Sequence, residues 1–172
     1  MIQVNPKDLS SSPKIQKMED VELVLRFFAL KDGRYKLLKK GFREFMTSSL
    51  VEMNGLDDLI IKRKASEFRR YMRFIHEHAG PFAFAKWRVE DDGVRKRMST
   101  FNAAVYDAVA VGLSEVFSMD DLREKSEAVS DALEGYQSLF ASRDFFGSVS
   151  GSVNDAAKVI YRIDAMSQYL RR

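Results

Sequence analysis

The chain has 172 residues, of which 45% are hydrophobic and 31% charged, and its formal net charge is +3. At roughly 100–200 residues per domain this is one domain, or one domain with a short arm, of ordinary globular composition. The absence of cysteine excludes a disulfide scaffold, a thiolate zinc site, an iron–sulfur centre and a cysteine nucleophile.

No apolar run approaches the roughly 20 residues that span a bilayer. Residues 1–18 also lack the apolar stretch of a signal peptide. Both features predict a cytoplasmic protein.

Residues 1–17 carry Pro6, Pro13 and the run Ser10-Ser11-Ser12 with little periodicity, and are expected to form a flexible arm or linker stub. A single α-helical domain is expected over 18–172. Asp20–Lys31 is almost continuously apolar, which predicts a central helix buried on most sides. A strand is the rival reading, but Glu22 and Arg26 stand one helical turn apart, as an i,i+4 ion pair requires. Asp32-Gly33 ends this element.

Lys36–Asn54 and Leu56–Ala79 each show one apolar stripe at helical spacing. The pair Gly80-Pro81 is the clearest stop. The stretch from Pro81 to Trp87 reads as a packed connection or a short helix, and Glu90–Gly93 as a turn. Ser99 or Thr100 is a candidate cap for a helix to about Phe117. Ser118 with Asp121 resembles an N-cap pair that opens a helix through Leu139 or Phe140. Ser152 or Asn154 is expected to cap the last helix. No convincing strand pair and no internal repeat is present. The pattern predicts an all-α fold, an irregular helical bundle of about five to seven helices with mostly short connections.

Few constellations carry chemistry. His76 and His78 stand at i and i+2, about 200° apart on a helix, so both rings cannot reach one ion. No metal site and no cofactor follows from the sequence. The carboxylate pairs Asp57-Asp58, Asp91-Asp92 and Asp120-Asp121 fall in turns or at helix starts, where they complement unpaired N–H groups. No P-loop, GxGxxG, GxSxG or HExxH occurs, so no catalytic residue is expected.

Charge is more informative. Residues 34–73, with Lys40 among them, hold eleven basic side chains against five acidic ones. Within them Lys62, Arg69 and Arg73 share a helix face, and Arg95-Lys96-Arg97 form a second patch. Such patches contact phosphates without reading sequence. The competing reading is a solvated face opposite an apolar stripe. Residues 115–134 carry seven acidic side chains against two basic ones. That stretch repels nucleic acid and suits a basic partner. Trp87, between Lys86 and Arg88, is a candidate for base stacking, with a core role as the alternative.

The run from Met18 through Glu19-Asp20-Val21-Glu22-Leu23-Val24-Leu25-Arg26-Phe27-Phe28-Ala29 to Leu30 resembles a segment of the GmrSD-type family. These are the ParB-like, DGQQR-motif proteins of modification-dependent restriction and phage defence. Lys39–Met46 is similar to that family's next helix, and Phe101–Ala108 to a later one.

The DGQQR motif and an HNH motif have no counterpart here. The resemblance therefore implies the helical region without its nuclease-like N-terminal domain, either as a fragment or as a separate helical partner. Glu22, Arg26 and Asn102 match the family pattern, and the resemblance implies structural roles for them: an ion pair and a capping or bridging amide. The function expected is a non-catalytic helical module that positions a ParB-like nuclease domain or partner protein and touches DNA backbone. The alternative is a protein-interaction module with no nucleic-acid role, docking through the acidic helix or the arm. An enzyme with an unrecognised pocket is a third reading.

Overall fold

Residues 19–39 and 41–172 are described by a computed structural model. The arm expected over 1–17 and the basic residue Lys40 lie outside the described residues. The chain is predominantly helical, as the periodicity predicts, with eight α-helices and one small sheet among the described residues. No helix among them is long and apolar enough to cross a membrane.

The first helix, α1 (Glu19–Leu30), buries its C-terminal half, Arg26 to Leu30. It stops where Asp32 and Gly33 take left-handed conformations (φ 58° and 73°). A 3₁₀ turn at Arg34–Leu37 follows and tucks Tyr35 into the core. The helix expected from Lys36 therefore begins later, as α2 (Phe42–Asn54), after a left-handed Gly41. The third helix, α3 (Asp58–Ala79), is capped by Asp57, whose carboxylate accepts from the Ile60 amide at 2.9 Å. Tyr71, Phe74 and Ile75 are buried toward its C-terminal end, whereas residues 58–63 are all exposed.

The absence of a strand pair expected from the sequence is corrected by the structure. Strand β1 (Trp87–Val89) pairs antiparallel with β2 (Arg95–Arg97), in the register Trp87 to Arg97, Arg88 to Lys96 and Val89 to Arg95. The reading of the segment that ends at Trp87 as a helix or connection fails at that residue. The physical reason is length: three-residue strands, one of them wholly charged, show no alternation that a sequence pattern can detect. The turn expected at Glu90–Gly93 closes this hairpin. The Glu90 amide donates to the Val94 carbonyl at 2.9 Å, and Gly93 takes φ 82°, the left-handed position that a three-residue hairpin loop demands.

The buried centre is α4, over 103–116. It is α-helical at Ala103–Tyr106 and Gly112–Val116 and π-helical at Asp107–Val111. Its cap is Asn102, not Ser99 or Thr100. The Asn102 side chain accepts from the amides of Ala104 and Val105 and donates to the Val149 carbonyl.

The next helix, α5 (Met119–Glu124), opens with the expected Ser118–Asp121 pair as a full capping box. The helix expected to run on to Leu139 is broken. Lys125 leaves helical geometry before α6 (Ser126–Leu133). A left-handed Gly135 then precedes a 3₁₀ turn at Tyr136–Ala141, and α7 (Arg143–Ser148) follows. Leu122, Val129, Leu133, Tyr136 and Phe140 all reach the core across these breaks.

The last helix, α8 (Ala156–Leu170), is capped by Asp155 rather than Ser152 or Asn154. It lies across α4, burying Val159, Ile163, Met166 and Leu170. Each such side chain contributes about 1.5–3 kcal/mol. Four tyrosine hydroxyls tie the elements together: Tyr35 donates to Asp164, Tyr71 to the Phe117 carbonyl, Tyr106 to the Leu23 carbonyl and Tyr136 to the Ala83 carbonyl.

Candidate nucleic-acid interface

The β-hairpin concentrates cations. Lys86, Arg88, Arg95, Lys96 and Arg97 lie on or beside its two strands, and all but Lys86 are exposed. Arg88 stands directly across the ladder from Lys96, so their Cβ atoms are about 5 Å apart on one face. Neither forms an ion pair among the described residues. Like charges placed so are mutually destabilising. The local field is visible at Lys86. Its ammonium pKa is lowered from the usual value by burial and by the Arg88 charge. Lys86 donates to Ser150 Oγ at 2.5 Å and lies 4.3 Å from the Phe146 ring centre. On the other face, Arg95 reaches Gln137 at 3.4 Å, and Arg97 lies over the Phe82 ring at 3.7 Å.

Lys62, Arg69 and Arg73 are exposed along α3 and form no ion pair among the described residues. Arg73 lines a groove of about 240 Å³ with Arg70, Arg123 and Glu77. No hydrogen bond or ion pair among the described residues links the α3 set to Arg95, Lys96 and Arg97. The two sequence patches thus sit on separate elements, and the structure adds Arg88 to the second. Trp87 is half-buried and its indole Nε1 has no partner. Phe82, beside the hairpin, is the more displayed ring.

The acidic stretch is partly neutralised by its own cations. Arg123 pairs with Asp120 and Glu124, and Lys125 pairs with Asp121 at 2.8 Å. Glu115 is used inside the fold, where its carboxylate accepts from the Gly33 amide at 3.0 Å. His76 is exposed. His78 packs on Phe74, with ring centres 4.2 Å apart, and lies 2.9 Å from Ser130 Oγ. No group of metal-binding side chains occurs among the described residues.

Arg26, expected to pair with Glu22, leads into the core. Arg26 bonds Glu22 at 3.3 Å, but its closer partner is Asp107, 2.9 Å from Nε and 2.5 Å from Nη2. Arg162 donates to the same carboxylate at 2.5 Å and to the carbonyls of Ser148 and Val153. Burial lowers the Arg162 pKa, with Asp107 opposing that effect, whereas Arg26, which also has Glu22, is raised overall. Asp107 and Arg162 escaped the sequence reading. The available signal was a charge inside each of two apolar stretches, Asp107 alone in VYDAVAVG and Arg162 with Asp164 in VIYRIDAM.

An apolar groove of about 420 Å³ lies between α1 and α3, lined by Leu23, Val24, Phe68, Met72, Phe84 and Tyr106, with Asp20 at its edge. Its titratable lining is Asp20 and Tyr106, and the Tyr106 hydroxyl is spent on the Leu23 carbonyl. No protein-family model, curated protein or solved structure matches this chain.

Proposed function

We propose that the chain is a non-catalytic helical module that grips the phosphate backbone of nucleic acid through its β-hairpin. The exposed Lys62, Arg69 and Arg73 of α3 extend the contact. The observation that carries this reading is the unpaired Arg88–Lys96 rung. A phosphate between the two cations converts a repulsion into two charge-assisted hydrogen bonds. The resemblance to the helical region of GmrSD-type proteins supports a setting in which the module holds DNA for a nuclease-like domain or partner protein.

The test is fluorescence anisotropy with labelled DNA across a salt series. Binding of the native chain is expected to weaken steeply with salt. The double variant Arg88→Gln, Lys96→Gln should flatten the log–log salt slope by about 1, since it removes one neutralised phosphate. Reversing Lys62, Arg69 and Arg73 to Glu should weaken retention at low salt. A native chain with no salt-dependent binding ends the proposal.

A second reading, a protein-interaction module, is favoured by one feature. The first turns of α3 leave Leu59 (68% exposed) and Ile61 (46%) uncovered. Loss of a recovered protein partner on Leu59→Ser, Ile61→Ser substitution, with DNA binding unchanged or absent, would favour that reading.

A further inference from the structure

We infer that the hairpin side of the molecule takes single-stranded nucleic acid, with one unpaired base stacked on the Phe82–Arg97 pair. This rests on the backbone-binding reading and adds the form of the ligand.

Phe82 is 39% exposed although its loop is tightly held. Gly80 takes φ 77°, and the Ala83 amide donates to the Gly80 carbonyl at 3.2 Å. The Ala85 amide donates to the Phe82 carbonyl at 2.9 Å, and the Tyr136 hydroxyl donates to the Ala83 carbonyl at 2.5 Å. Ala83 and Ala85 are buried at 3% and 0% and Phe84 packs against the core, which leaves Phe82 as the exposed side chain of this segment. The ring is therefore displayed by a pinned backbone rather than left loose.

Arg97 comes from β2 and places its guanidinium 3.7 Å from the ring centre. A planar cation on an aromatic ring is a preformed stacking surface. Arg97 is itself exposed, so a base adds as the third layer over the guanidinium. Arg95, two residues earlier on β2, stands on the same face as Arg97, so a phosphate next to that base meets a cation there, while Arg88 and Lys96 hold the backbone on the opposite face of the hairpin. In a duplex each base face is already covered by its neighbours, and only an unpaired base has one to offer. Aromatic stacking together with a cationic track is the general basis of single-strand binding.

The experiment compares an oligothymidylate strand with a duplex, by anisotropy, for the native chain and three variants. Phe82→Leu keeps apolar bulk and removes the ring. It should lower single-strand affinity about tenfold and change duplex affinity little. Arg97→Lys keeps the charge and loses the plane, and should move affinity the same way. Phe82→Trp keeps a ring. It should retain single-strand affinity, and its added fluorescence, measured against the native Trp87 background, should be quenched when the strand saturates.

Equal losses for strand and duplex, no loss in either Phe82→Leu or Arg97→Lys, or an unquenched Trp at position 82 each overturn the inference. If strand and duplex bind alike and both depend on Arg88 and Lys96, the stacking inference fails while the backbone reading stands. If the native chain binds neither, both fail. Circular dichroism on each variant confirms that the helical fold is intact, so that a binding loss is read at the site.

Discussion

Asp107 is fully buried and balances two guanidinium groups, those of Arg26 and Arg162. Arg26 is further covered by the Phe42 ring, 4.6 Å from its guanidinium carbon. Two cations on one buried anion are held by further acceptors, although Arg162 Nε has no hydrogen-bond partner. Arg26 reaches Glu22 at the rim, and Arg162 reaches the carbonyls of Ser148 and Val153. Removing the anion strands both cations. Asp107→Asn is thus expected to cost about 3–5 kcal/mol, the range for breaking a buried ion pair by removal of one partner. Glu22→Gln removes a carboxylate that is 60% exposed and is expected to cost under about 1 kcal/mol. Urea denaturation of the two variants checks the contrast, and equal costs would show that the rim pair is as important as the core pair.

The crossing of α4 and α8 brings the two helices close together at Gly112. A Cβ at Gly112 would stand 2.9 Å from Met166 Cγ and 3.0 Å from Met166 Cβ. These atoms sit at the root of the side chain, so the helices themselves must separate. Gly112→Ala should therefore destabilise by about 1–3 kcal/mol despite its better helix propensity. Combining it with Met166→Ala should cost less than the sum of the single changes, because the second change removes Cγ, the nearer of the two contacts, and leaves only Cβ. Thermal melts of the three variants measure this.

The start of α5 gives an acid-dependent prediction. Hydrogen bonds from Lys125 and then from the Ser118 hydroxyl and amide hold the Asp121 carboxyl well below its usual value of 3.8. A pKa lower in the folded state stabilises the fold above the unfolded value and loses that contribution as pH falls. Stability of the native chain relative to Asp121→Asn should therefore shrink as pH drops below about 4. A constant difference down to strong acid would refute this.

For the molecule as a whole, the charge of +3 divides in space. The hairpin and the outer face of α3 are basic, whereas α5 and α6 carry the acids, several already paired with Arg123 and Lys125. The free end of α3 contributes little to folding. Leu59→Ser with Ile61→Ser should change stability by less than about 0.5 kcal/mol per site, while lowering any concentration-dependent self-association seen by light scattering. A large stability loss would mean that these turns are covered in the folded protein.

Much of the architecture was readable because its causes are local. The apolar stripe of α1, the Asp57 position at the start of α3, the Ser118–Asp121 capping box and the Gly80-Pro81 stop all act within a few residues. Near misses at other caps have the same origin. Ser99, Thr100 and Asn102 are all competent caps, and only the Nδ2 contact of Asn102 with the Val149 carbonyl, 47 residues away, selects among them. The candidate site was half legible. Arg95, Lys96 and Arg97 are visible as a cluster, but the significance of Arg88 depends on a strand register.

By itself the sequence determined the helical class, the ends of α1 and α3, the capped start of α5 and the division of charge along the chain, since each follows from periodicity, capping or composition. Tertiary structure alone decided that Asp107 meets Arg26 and Arg162, 81 and 55 residues distant. It also decided that Arg88 faces Lys96, and that Phe82 rather than Trp87 is the displayed ring. Those pairings depend on which surfaces the buried apolar faces bring together. That is a property of packing among remote segments, and no local spacing encodes it.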